Sequence, residues 1–154
     1  MKKILAAMAA IGLVGVASAQ SVPLNVSATV DTACAFGATS YDMAFSNYGA
    51  NLGNVDTATA ISLTCNTGAS YFIGLSGGGS GDVNARTMGA LAYQLYKTTG
   101  RTTVWGDTAG DRVGSTGTGA AQSFTIFGRI PDSIANRSVV AGTYTDTVNI
   151  VISF

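Results

Sequence analysis

The chain contains no histidine and no glutamate, and charged residues make up only 10% of it. Without histidine there is no Ser-His-Asp or Cys-His arrangement for nucleophilic catalysis. A two-carboxylate hydrolase would have to draw on aspartate alone. Asp107 and Asp111, in a Gly-rich loop, are the best such pair, and turn formation accounts for them more simply. The same pair is a poor start for Ca²⁺, which takes about 6–8 oxygen ligands. No catalytic residue, cofactor or metal ligand is assigned, and an enzyme is not expected.

Basic residues are also few. Setting aside Lys2 and Lys3 leaves six against eight aspartates, a balance of about −2 with no basic patch, so nucleic acid is not an expected partner. Gly117-Thr118-Gly119 lacks the third glycine of a dinucleotide fingerprint and the Gly-Lys-Ser/Thr of a phosphate loop. Gly78-Gly79-Ser80-Gly81-Asp82 comes near a calcium-binding nonapeptide repeat but occurs once, with its aspartate one place early, and reads as a loop. Long apolar runs are missing after the first 19 residues, so no membrane-spanning helix is expected.

What is present begins with an export signal. Lys2 and Lys3, the apolar run over residues 4–16 and Ala17-Ser18-Ala19 form a positive region, a hydrophobic region and an A-x-A cleavage site, so residues 1–19 are expected to be removed on export. The remaining 135 residues suit one domain. Cys34 and Cys65, an even pair in an exported chain, are expected to form one disulfide. Closing a loop of that length stabilises a fold by roughly 3–4 kcal/mol on the chain-entropy argument.

Thr, Ser, Ala, Val and Gly dominate the rest, a composition that favours strands joined by Gly and Asx turns. In residues 21–30, Val22, Leu24, Val26, Ala28 and Val30 fall on one face of an extended chain and polar residues and Pro23 on the other. Tyr41, Met43 and Phe45 mark a second short strand. Thr59, Ile61, Leu63 and Cys65 share a face, and the Asn66-Thr67-Gly68 turn returns the chain through Tyr71, Ile73 and Leu75 as an expected hairpin. Leu91, Tyr93 and Leu95 alternate, residues 98–119 read as a long surface excursion pinned by Trp105, and Phe124, Ile126 and Ile130 mark a strand ending near Pro131. Tyr144, Val148, Ile150, Ile152 and Phe154 share the last face, with Asp146 its polar interruption. Strands of this kind without an amphipathic helix predict an antiparallel β-sandwich. Its final strand is an apolar edge that needs a cover. Two glycosylation sequons, at Asn25 and Asn136, are short enough to occur by chance. Trp105, with Tyr93 and Tyr96, is a candidate sugar platform, but a buried anchor for its loop is the expected role.

An ordered series of short motifs carries a resemblance. Cys34, Ile61-Ser62-Leu63-Thr64-Cys65, Ala69-Ser70-Tyr71, Arg86-Thr87-Met88, Leu91-Ala92-Tyr93-Gln94-Leu95-Tyr96, Arg101-Thr102-Thr103-Val104-Trp105-Gly106-Asp107, Phe127-Gly128-Arg129-Ile130-Pro131 and Ala141-Gly142-Thr143-Tyr144-Thr145-Asp146-Thr147-Val148 together resemble the spore coat protein U domain family, which includes subunits of archaic chaperone–usher pili. Residues 132–140 depart from the pattern, being longer and lacking a proline before Ala141-Gly142. The resemblance implies an all-β fold, an incomplete immunoglobulin-like antiparallel β-sandwich completed by a donor strand from another subunit. It implies residues 20–30 as the donor, through Val22, Leu24, Val26 and Ala28, and residues 31–154 as the sandwich, with Val148, Ile150, Ile152 and Phe154 as the acceptor edge; residues 28–33 are also open to being the sandwich's own first strand. Implied partners are copies of the chain or related subunits, a periplasmic chaperone and an outer-membrane usher. The implied destination is the cell surface, reached through the periplasm. Two other readings are a spore or cell-surface coat protein using the same exchange, and a monomeric secreted carbohydrate-binding sandwich.

Overall fold

Residues 55–65 and 121–130 alternate inward and outward side chains over the longest stretches of the chain, and they become its two longest strands. In the computed structural model, residues 20–49 and 53–154 are described. The expected export signal lies outside the described residues. The strands in chain order are β1 (Cys34–Phe36), β2 (Val55–Cys65), β3 (Ser70–Leu75), β4 (Thr87–Met88), β5 (Leu91–Ala92), β6 (Gln94–Tyr96), β7 (Val113–Thr116), β8 (Ala121–Ile130) and β9 (Ile150–Ser153), with one turn of helix, α1 (Ile134–Arg137), between β8 and β9.

Two antiparallel sheets form the sandwich, one in the order β1-β2-β8-β6 and one in the order β7-β3-β9; β4 and β5 make a separate two-stranded ribbon. Ile61, Leu63 and Cys65 of β2, Ile126 and Ile130 of β8 and Leu95 of β6 face Tyr71, Ile73 and Leu75 of β3 across the core. The expected antiparallel all-β sandwich is therefore present. Cys34 pairs in register with Cys65, and their sulfurs are bonded, tying β1 to the end of β2. Trp105 is buried and donates its indole N–H to Ile73 O at 2.9 Å, which anchors the loop before β7 as its sequence suggested. That burial removes it as an exposed sugar platform.

The structure corrects several expectations, among them the single run through Leu91, Tyr93 and Leu95, which divides into β5 of the ribbon and β6 of the first sheet. Residues 66–69 do not turn a hairpin, since β2 and β3 belong to different sheets. Both strands carry large apolar faces that bury best against each other, and the connection arches across the core with Gly68 at φ +82°. The excursion over residues 98–119 contains a strand, β7, which pairs with β3 through a Gly-Ser-Thr stretch without apolar alternation. Gly114 leaves room there for the Phe72 ring, which lies 3.1 Å from where a Cβ would stand. Residues 41–45 alternate in burial as expected of a strand but carry no ladder. The last run forms a strand only over Ile150–Ser153, and residues 141–149 have no strand pairing.

The chain divides into two units, Met1–Val30 and Asp31–Phe154. In the first, residues 20–30 form no strand, and Val22, Leu24 and Val26 are 88%, 87% and 85% exposed. A strand needs a ladder partner, and alternation alone supplies none.

Candidate functional site

Within Asp31–Phe154, an open groove separates two runs that, among the described residues, pair with no strand on their facing sides. One wall is residues 36–48. Thr57 and Thr59, on the inward face of β2, donate their hydroxyls to the carbonyls of Ala44 and Asp42, both at 2.8 Å. The wall is thus held by side chains where a neighbouring strand would be held by backbone. Met43 and Phe45 project inward and lie over Gly128 of β8, where a Cβ would come within 2.8 Å of the Met43 sulfur and the Phe45 ring. Phe45 meets Tyr93 edge to face, with ring centroids 6.2 Å apart.

The opposite wall is residues 139–150. Tyr144, Asp146, Val148 and Ile150 are partly buried and alternate with exposed Thr145, Thr147 and Asn149. Ser76 fastens this wall to the end of β3: Asn149 N donates to its Oγ at 2.9 Å, and Ser76 N donates to Asn149 O at 3.0 Å. Further on, among the described residues β9 pairs with β3 alone and is an edge strand.

Leu75, Met88, Tyr93, Leu95 and Ile126 form the apolar floor between the walls. The groove consists of three recesses of about 390, 480 and 510 Å³ that share walls, running from Phe36 and Ile150 at one end to Tyr48 and Val140 at the other. Asp146 is a carboxylate of this wall held by hydrogen bonds, while Asp42 and Thr59 line the facing side. Tyr93 Oη donates to Asp146 Oδ2 at 2.6 Å, and the backbone N–H groups of Gly79 and Thr147 donate to Oδ1 at 2.8 and 2.7 Å. Partial burial pushes the carboxyl up, but the Tyr93 phenol and the two N–H groups outweigh it and hold the group below the usual carboxylate range. Burial, followed by the same carboxylate, drives the Tyr93 phenol above its ordinary value.

Arg86 holds the framework behind the floor. It is fully buried and uses all five N–H donors: Nε on Ser76 O at 2.9 Å, Nη1 on Val83 O at 2.9 Å and Gln94 Oε1 at 2.5 Å, and Nη2 on Leu75 O at 2.9 Å and Trp105 O at 2.8 Å. Burial lowers its pKa, partly offset by the surrounding Tyr93, Asp107 and Asp146.

Of the acceptor-edge residues read from the sequence, Val148 and Ile150 line the groove, Ile152 packs against the core, and Phe154 lies beyond β9 at 64% exposure. Val22, Leu24, Val26 and Ala28 are exposed. The other wall, with Met43 and Phe45, was legible as an alternating run but not as part of a site. Asp111 serves its own loop, accepting from Thr108 Oγ1 at 2.8 Å. Asn136 of the second sequon is buried, with its amide donating to the carbonyls of Ala92 and Pro131 and its Oδ1 accepting from Ala92 N. It is a structural strut.

The model of the spore coat protein U domain matches residues 20–151. The chain belongs to the spore coat protein U domain family. Domains of this family are structural and non-enzymatic. No curated protein matches the chain. Among solved structures, the spore coat protein U domain described here is similar to a chain of the complex between the CsuC chaperone and the CsuE tip adhesion subunit, captured before assembly, from archaic chaperone–usher Csu pili of Acinetobacter baumannii. Identity is 22% and the TM-score 0.58, over 82% of this chain and 40% of that one, so the likeness is one of fold. The chain spans less than half the length of that relative. Among the described residues, no helix is long and apolar enough to cross a membrane.

Proposed function

We propose that this chain is a structural subunit of a surface fibre, exported through a signal over residues 1–19 and polymerised by donor-strand complementation. Residues 20–30 of one copy lie in the groove of the next, with Val22, Leu24, Val26 and Ala28 facing its floor. The observation that carries this reading is the groove itself. Its apolar floor lies between two walls that, among the described residues, form no ladder over residues 37–48 and 139–149, and an added strand offers backbone partners to both. Soluble proteins normally blunt or cover such an edge.

Burying three or four Val and Leu side chains is worth roughly 5–10 kcal/mol gross, before association costs of similar size. An empty groove exposes the same surface, so a chaperone is expected to fill it until a neighbouring subunit does, with an outer-membrane usher as the site of exchange. The fold it shares with a chain solved in a chaperone–subunit complex supports this, and the Cys34–Cys65 disulfide suits an oxidising periplasm. Fibres of this kind would serve adhesion and biofilm formation. A coat using the same exchange fits the family description equally.

The test is Leu24→Asp. A carboxylate in an apolar slot must lose its hydration or take up a proton. Sedimentation and electron microscopy should show assembly lost while the subunit still folds on its chaperone. Fibres as abundant as those of the unaltered chain would exclude residues 20–30 as the donor.

A further inference from the structure

The groove wall is apolar at Val148 and Ile150, yet the next inward position carries Asp146. Tyr93, Gly79 and Thr147 hold its carboxylate through three hydrogen bonds. A carboxylate has about four lone-pair sites, so one remains for whatever enters the groove. A fixed charge at mid-groove is costly to cover with a large apolar side chain, which strips its water and offers no hydrogen bond.

The exposed N-terminal face has a matching irregularity. Val22, Leu24, Val26 and Val30 are large, and Ala28 alone is small. In an antiparallel pair, one pairing determines all the others. With Ala28 opposite Asp146, Val26, Leu24 and Val22 meet Val148, Ile150 and Ile152, and Val30 meets Tyr144. A slide of two residues either way puts Val26 or Val30 over the carboxylate. A slide of one turns the apolar face outward.

We infer that Asp146, held by Tyr93, sets the register of the incoming strand by admitting a small or cationic side chain opposite it, so that Ala28 of a second copy lies there. This rests on the strand exchange proposed above. It adds a residue that selects which strand fits, and in which alignment.

The test places lysine singly at Leu24, Val26, Ala28 and Val30 of the full chain and measures assembled material by sedimentation. Ala28→Lys is expected to stay within about threefold of the unaltered chain, through an ion pair with Asp146, while the other three fall at least about tenfold. Combined with Asp146→Asn, and compared with Asp146→Asn alone, Ala28→Lys should lose its tolerance. Tolerance at Val26 or Val30 instead, loss at all four positions, or tolerance at Ala28 that survives Asp146→Asn overturns the register and leaves strand exchange standing. Undiminished assembly at all four removes residues 20–30 from the groove and overturns both.

Discussion

Arg86 aims five N–H groups at four backbone carbonyls and one side-chain amide, drawn from the end of β3, the following loop, β6 and the Trp105 loop. Its role is to satisfy acceptors where several segments leave their sheets together. Nothing about an arginine beside Thr87 and Met88 announces this, since its partners are carbonyls, which carry no sequence signal. The strut role of Asn136, singled out in the sequence only as a sequon, is silent for the same reason. Removing the guanidinium leaves five acceptors without their donor in a site closed to water. Arg86→Met is therefore expected to lower the unfolding free energy by about 3–5 kcal/mol in denaturant. Arg86→Lys should fare little better, because an ammonium has three donors where five are used. A Met variant with the unaltered midpoint would show that these bonds do not contribute.

Among the strands, alternation was a reliable guide where both ladder neighbours exist. β2 and β8 pair over ten positions, from Val55 with Ile130 to Thr64 with Ala121, and both were visible as runs of inward apolar residues. Besides residues 41–45 and 141–149, which alternate without a ladder, it failed in two ways with separate causes. A two-residue period says which side chains face inward but not which sheet a strand joins, so the arch over residues 66–69 looked like a hairpin. In β7 the pairing rests on backbone and on the space left by Gly114, and no periodicity marks it. The arch and β7 are locked together: Gly117 N donates to Ala69 O at 2.7 Å and Gly68 N to Gly117 O at 2.9 Å. A Cβ on Gly117 would lie 2.1 Å from Asn66 O, a backbone atom with little freedom to move. Gly117→Ala should cost roughly 1–3 kcal/mol, read from the shift of the thermal or denaturant midpoint. An unchanged midpoint would mean the arch yields more readily than its hydrogen bonds imply.

Across the whole molecule, the exposed alternating face at residues 20–30 and the unpaired groove walls are complementary requirements. The chain shows both. One wall, at Val148 and Ile150, could be read from the sequence as an apolar edge. The facing wall and the Asp146–Tyr93 pair could not, because they exist only once residues 36–48, the end of β3 and the floor strands converge. The central claim is that the groove takes up residues 21–30. The most direct measurement fuses a copy of those residues after Phe154, through a linker long enough to let it run antiparallel to residues 144–152, and deletes the original. A tether supplies the strand at roughly millimolar effective concentration. The account predicts a soluble monomer whose unfolding free energy exceeds that of the simple deletion by at least ~2 kcal/mol. A fused protein no more stable than the deletion would contradict it.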